Sequence, residues 1–231
     1  MFWYDSTYIL ILIGVVISAI ASVRVNSTYS KYSRVRSRSG MTGAEAAEKI
    51  LHMAGIYDVQ VTHVRGSLTD HYDPRAKVLR LSDAVYGQSS VAAIGVAAHE
   101  CGHAIQHHIG YVPLSIRSAI VPVANFGSQL SWPLFLIGLF INGNTGYALM
   151  MGGIILFSAA LLFQLITLPV EFNASSRAVR ILGETGILRE DELPYTKKVL
   201  GAAALTYVAA ALASILQLLR LFILAGGRRR D

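Results

Sequence analysis

The chain has 231 residues, of which 53% are hydrophobic and only 15% charged, with a net charge of +6. A soluble domain of this length charges about a quarter of its residues, so the composition excludes an ordinary soluble globule and points to long membrane-crossing runs. The positive excess reads as loop lysine and arginine: no basic stripe interleaved with aromatics is present, so no nucleic-acid partner is expected. The single cysteine, Cys101, excludes an intramolecular disulfide framework.

The first apolar run is Tyr8 to Val23, preceded by Phe2, Trp3 and Tyr4. It is long enough to cross a bilayer core of about 30 Å, with the aromatics at the interface. Ala19 and Ala21 form an A-x-A, but no lysine or arginine precedes the run, so residues 1–23 are expected to be a retained transmembrane helix, not a cleaved signal. Arg24, Lys31, Arg34, Arg36 and Arg38 follow, which places the N-terminus outside and the next segments in the cytoplasm. Residues 24–40 read as a basic, serine-rich juxtamembrane linker near anionic lipid.

Residues 41–118 read as a small α+β unit. Thr42 to Glu45 has the capping-box form and starts a helix through about Ala54, ended by Gly55. "YDVQVTHVR" alternates as a strand, and Lys77–Ser82 reads as a second strand after the turn "TDHYDPR". Asp70 and Asp73 in that turn read as turn-formers. From Gln88–Ser90 a long helix runs through His108, apolar without break from Val91 to Ala98 and therefore buried.

Residues 119–168 read as a transmembrane hairpin, Ile120–Ile141 and Tyr147–Leu168, joined by "NGNTG". Pro169 is expected to end its second helix, leaving residues 169–198 as a cytoplasmic helical segment. Residues 199–231 form a last hydrophobic helix with a basic tail. If that helix spans, Arg228, Arg229 and Arg230 finish outside, against the positive-inside tendency, so spanning and interfacial placements stay open. The expected fold is mostly α and integral to the membrane, with three or four transmembrane helices and a small α+β cytoplasmic unit that carries the long helix through His108.

Chemistry concentrates in "GVAAHECGHAIQHH". On a helix, His99 and His103 stand one turn apart and point the same way, so two imidazoles can hold one zinc ion. Glu100 lies about 100° around the helix, placed to act as general base toward water that the metal activates. By composition a chance H-E-x-x-H has a probability of about one in 150. Gly102 removes bulk that a substrate backbone could use, and Cys101 turns away as packing. His107 shares the face of His103 but lies a further turn along, too far to bind the same ion at bonds of about 2.1 Å, and reads as a supporting histidine.

A catalytic zinc needs a third protein ligand and one open position. Glu171, in "LPVEFNASSRAVRIL", is the best of the later acids, at the expected start of an amphipathic helix. Glu190, Asp191 and Glu192 read as a solvated helix start before Pro194. Asn173 and Ser175 are close enough in sequence to orient Glu171 or a histidine.

The segments "HYDPRAKVLRLSDAVYG", "VAAIGVAAHECGHAIQ" and "LPVEFNASSRA", the last after a hydrophobic hairpin, resemble the YugP-type family of bacterial membrane zinc metallopeptidases. The resemblance runs from about residue 40 to the end. The order is also similar to membrane gluzincins of the HtpX and CAAX-prenyl-protease type, in which a glutamate ligand opens an "E-F-x-A-D" segment. The likeness implies a peptidase of the bacterial plasma membrane with one zinc per chain, His99, His103 and Glu171 as ligands, and peptide or membrane-protein substrates. Ser175 departs from it, standing where the HtpX type has an aspartate.

For substrate handling, Lys77–Ser82 reads either as an ordinary sheet strand or as an edge strand able to pair with an extended peptide. His71, Tyr72, Arg80 and Arg177 are candidate stabilisers of the tetrahedral oxyanion. A non-catalytic zinc-stabilised scaffold is the main alternative, disfavoured by Glu100, for which a structural site has no use. A transporter is disfavoured because the apolar runs hold almost no ionisable residue besides Arg220.

Overall fold

The structure is a computed structural model that describes residues 6–228. Among the described residues the elements are, in order, α1 (Tyr8–Tyr32), α2 (Gly43–Met53), β1 (Gln60–Val64), β2 (His71–Asp73), β3 (Val78–Ser82), α3 (Val91–His108), α4 (Val112–Phe140), α5 (Gly143–Glu184) and α6 (Leu193–Arg228). The chain is mostly helical with one small sheet, and α1, α4, α5 and α6 are each long and apolar enough to cross a membrane. The aromatic residues Phe2, Trp3 and Tyr4 and the arginines Arg229 and Arg230 lie outside the described residues.

Two compact units divide the chain. One comprises residues 1–22, 116–168 and 206–231. Its packing centres on Phe135, Met150, Ile154, Leu221 and Ala225. The α4–α5 hairpin closes because glycines let backbones touch: a β-carbon at Gly153 would stand 2.7 Å from the Ser131 carbonyl, and one at Gly138 2.6 Å from that of Gly146. Many large apolar side chains of this unit stay exposed, including Leu12, Val16, Phe126, Ile137 and Phe222. A soluble surface seldom carries so much exposed apolar area, whereas hydrocarbon accepts it.

The other unit comprises residues 23–115 and 169–205. Its core joins α2, α3 and the sheet through residues such as Ile50, Leu51, Leu79, Leu81, Ile94, Ala97 and Cys101, all at most 1% exposed. Helix α2 starts on the expected capping box: Glu45 N–H donates to Thr42 Oγ1, and Glu45 Oε2 accepts from Thr42 N–H at 2.8 Å. Helix α3 is capped by Ser90, whose Oγ accepts from Ala93 N–H at 3.1 Å. The sheet order is β1-β3-β2, with β1 parallel and β2 antiparallel to β3.

Several expectations differ from the fold. Residues 24–32, read as linker, continue α1 as helix. The segment "TDHYDPR" supplies a third strand, β2, and of the two readings of Lys77–Ser82 the ordinary sheet strand holds, because β3 lies between two partners. Three residues are too few for alternation to reveal a strand; pairing with β3 makes it one. Pro169 does not end its helix, because α5 runs unbroken from Gly143 to Glu184. The proline removes one backbone donor, but Val170, Ala174, Ala178 and Leu182, at four-residue spacing and at most 1% exposed, bury one helical face beyond it. Glu171 therefore sits inside a helix and does not open one.

Candidate metal centre

His99 and His103 project from α3 with ring centroids 4.8 Å apart and planes at 84°. Glu171 of α5 brings its Oε2 to 3.3 Å from His99 Nε2 and 3.5 Å from His103 Nε2. The donor atoms of the three lie within 4.8 Å of one another. Two ligands bound tetrahedrally at about 2.1 Å stand about 3.4 Å apart, so both imidazole–carboxylate separations fit one zinc ion. The side chains are 14%, 12% and 4% exposed, respectively, so the set is enclosed.

Neighbouring groups fix how the imidazoles face. Gln106, fully buried, donates from Nε2 to the Val170 carbonyl at 2.8 Å and to Asn173 Oδ1 at 3.0 Å. Its Oε1 therefore faces His103 Nδ1, at 3.0 Å, as an acceptor. Nδ1 must carry the proton, which leaves the Nε2 lone pair toward Glu171. Ser175 Oγ stands 3.1 Å from His99 Nδ1, where the hydroxyl can accept from an Nδ1–H. Asn173 Oδ1 also accepts from Arg177 Nε at 2.7 Å. Asn173 thus acts on His103 through Gln106. Burial alone would push the His103 pKa down; the Glu171 and Glu100 carboxylates beside the ring, with Gln106, together raise it instead.

The general-base candidate Glu100 is 8% exposed, and its Oε2 accepts from Tyr72 N–H at 3.1 Å. Strand β2 thus aims a backbone donor at this carboxylate. The Tyr72 hydroxyl meets His107 Nδ1 at 3.0 Å, so the exposed His107 supports β2 and not the histidine pair. Burial, with the Asp58 and Asp73 carboxylates, pushes the Tyr72 phenol above its ordinary pKa. His71 and Arg80 are engaged locally: Arg80 Nη1 donates to His71 Nε2 and to Asp73 Oδ2, both at 3.2 Å. Arg177 lies 5.9 Å from the Tyr111 ring centroid and is tied to Asn173. Of the four oxyanion candidates, Tyr72 is the one hydrogen-bonded to Glu100.

Three other readings change. Gly102 does not open space for a substrate: a β-carbon there would stand 2.7 Å from the Ala174 carbonyl, so the glycine lets α5 approach α3 and brings Glu171 to the histidines. Glu192 is not solvated but 4% exposed, with Oε1 accepting from Arg38 N–H and Oε2 from Arg189 N–H, both at 2.9 Å. Asp70 secures the sheet, accepting from Ser82 N–H at 2.7 Å and from its hydroxyl at 3.0 Å. As expected, Asp73 shapes a turn through Arg75 and Ala76 N–H, and Cys101 is fully buried with its thiol pushed far up by burial.

Sequence reasoning missed Gln106. Its signal was a lone amide three residues after His103, on the same helical face, inside an apolar stretch.

A half-buried pair of imidazoles and a buried carboxylate, in a chain with four helices among its described residues apolar enough to cross a membrane, define a membrane-type chain with a candidate zinc centre. The chain belongs to the family described as "putative neutral zinc metallopeptidase", whose model matches residues 7–226. It is 54% identical over 209 residues, 90% of this chain and 92% of the relative, to a Bacillus subtilis (strain 168) protein named "Putative membrane protease YugP". No solved structure matches the chain.

Proposed function

We propose that the chain is a membrane-embedded zinc endopeptidase that cuts peptide or membrane-protein substrates at the cytoplasmic face, with Glu100 as general base. The observation that carries this reading is the meeting of His99, His103 and Glu171 at ligand distance, one residue from a carboxylate held by Tyr72 N–H. Among the described residues the group offers three ligands, the number a catalytic zinc takes from protein, whereas structural sites usually take four.

Zinc held there supplies Lewis acidity, polarising a peptide carbonyl and lowering the pKa of water to about 7. Glu100 takes a proton from the attacking water and returns it to the leaving amine nitrogen. Tyr72 N–H keeps one carboxylate oxygen fixed, so the other is free to turn toward the water. Gln106 and Ser175 hold His103 and His99 with Nε2 inward. The cytoplasmic side is supported by Arg24, Lys31, Arg34, Arg36 and Arg38, which follow the first apolar run.

The test measures zinc content and casein hydrolysis on detergent-purified protein, for wild type and Glu100→Gln. The proposal expects about one zinc per chain in both, with cleavage by wild type alone and its loss under a chelator. Zinc-free wild type, or cleavage unchanged in Glu100→Gln, would overturn it.

A further inference from the structure

We infer that a groove between the basic end of α1 and the start of α6 binds the headgroup of an anionic phospholipid. The groove encloses about 600 Å³, and all its lining residues lie in the compact unit of residues 23–115 and 169–205. One wall is Arg24, Ser27, Thr28 and Lys31 of α1; the other is Lys198, Gly201, Ala202 and Leu205 of α6. Each set has the spacing i, i+3, i+4, i+7, so each is a single helical face.

The charge is one-signed. Arg24, Lys31 and Lys198 are exposed, none of the lining residues is acidic, and among the described residues none of the three cations has a carboxylate partner. Three cations beside the Ser27 and Thr28 hydroxyls match a phosphodiester, which accepts charge-assisted hydrogen bonds and carries one negative charge. The position matches as well. Arg24 is the first charge after the apolar run of α1, and Lys198 is the last before the long apolar run of α6. If these helices span, as the proposed function supposes, both cations stand at headgroup depth, where basic pockets between helices take anionic lipid. A β-carbon at Gly201 meets no atom within 4 Å, so the groove floor there is open. The chemistry selects the headgroup phosphate of a lipid such as phosphatidylglycerol over zwitterionic phosphatidylcholine, whose choline the three cations would repel.

The test is native mass spectrometry of the delipidated full chain in neutral detergent, titrated with phosphatidylglycerol or with phosphatidylcholine of the same acyl chains. Wild type should retain phosphatidylglycerol at least about tenfold better than phosphatidylcholine. Arg24→Gln/Lys31→Gln/Lys198→Gln should abolish the preference. Lys49→Gln/Arg65→Gln/Arg75→Gln, which removes equal charge from exposed positions elsewhere, should keep it. Gly201→Phe supplies the same reading by filling the groove, should the triple variant fail to fold. Equal retention of the two lipids, equal loss in the control variant, or displacement of neither lipid by Gly201→Phe would overturn the inference. So would preferential binding of an acidic peptide in place of lipid. Zinc content and casein cleavage read the metal centre separately, so failure of one proposal is not failure of the other.

Discussion

Gln106 accepts from His103 Nδ1 at 3.0 Å while donating to the Val170 carbonyl at 2.8 Å. A backbone carbonyl cannot donate, so the amide has one permitted orientation, and through it α5 dictates the tautomer of a histidine on α3. Gln106→Ala should therefore act twice. It leaves the buried His103 Nδ1–H without its acceptor, destabilising the protein by about 1–3 kcal/mol. It also frees the His103 ring, weakening zinc binding by about 10- to 100-fold. Thermal unfolding and competition with a chromophoric zinc chelator measure the two effects. An unchanged zinc affinity with lowered stability would leave Gln106 a packing residue only.

Ser175 offers the opposite opportunity. Its hydroxyl lies 3.1 Å from His99 Nδ1, a neutral partner where a carboxylate would hold an imidazole N–H more strongly. Ser175→Ala should loosen zinc binding by up to about tenfold, and Ser175→Asp should restore or exceed wild-type affinity. The same chelator competition checks both. Weaker binding in Ser175→Asp than in Ser175→Ala would show that the hydroxyl does not orient His99.

Gly102 tests how α5 reaches the histidines. A β-carbon there meets the Ala174 carbonyl at 2.7 Å, a backbone atom with no rotamer to escape by. Gly102→Ala should cost about 1–3 kcal/mol of stability and lower zinc affinity by moving Glu171. Gly201→Ala, in open space on α6, should cost no more than about 1 kcal/mol in either direction. Parallel melting curves with and without zinc separate the two glycines.

These cases show where the sequence was legible. The helix carrying His99, Glu100 and His103, its Ser90 cap and the Thr42 capping box are local patterns, set by spacing within one or two turns. Glu171 was within reach because few acids follow His103, although its helix does not begin where proline chemistry alone would begin it. What stayed hidden depends on contacts between segments far apart in the chain. The three-residue strand β2 exists through pairing with β3, the Tyr72 amide finds Glu100 across 28 residues, and Gln106 meets Val170 across 64. Gly102 looked like room for substrate because the helix packed against it could not be seen from one segment. Glu192 looked solvated for the same reason, since its partner Arg38 N–H lies 154 residues away.

Glu171 gives the last prediction, in which metal and fold are read together. Its carboxylate is 4% exposed and joins α5 to two residues of α3. A ligand that binds only the folded state stabilises it by about 2.7 kcal/mol at a free concentration one hundred times its Kd. Zinc at that excess should therefore raise the melting temperature of wild type, and a chelator should lower it again. Glu171→Gln keeps the side-chain volume but replaces an anionic ligand with a neutral amide that binds zinc poorly. The variant should take up less than one zinc per chain, and its melting temperature should be insensitive to zinc and chelator alike. In Glu100→Gln the zinc-dependent shift should persist, because Glu100 is assigned to the proton and not to the ion. If Glu171→Gln keeps the full shift, the third ligand is another residue; if Glu100→Gln loses it, Glu100 binds the metal.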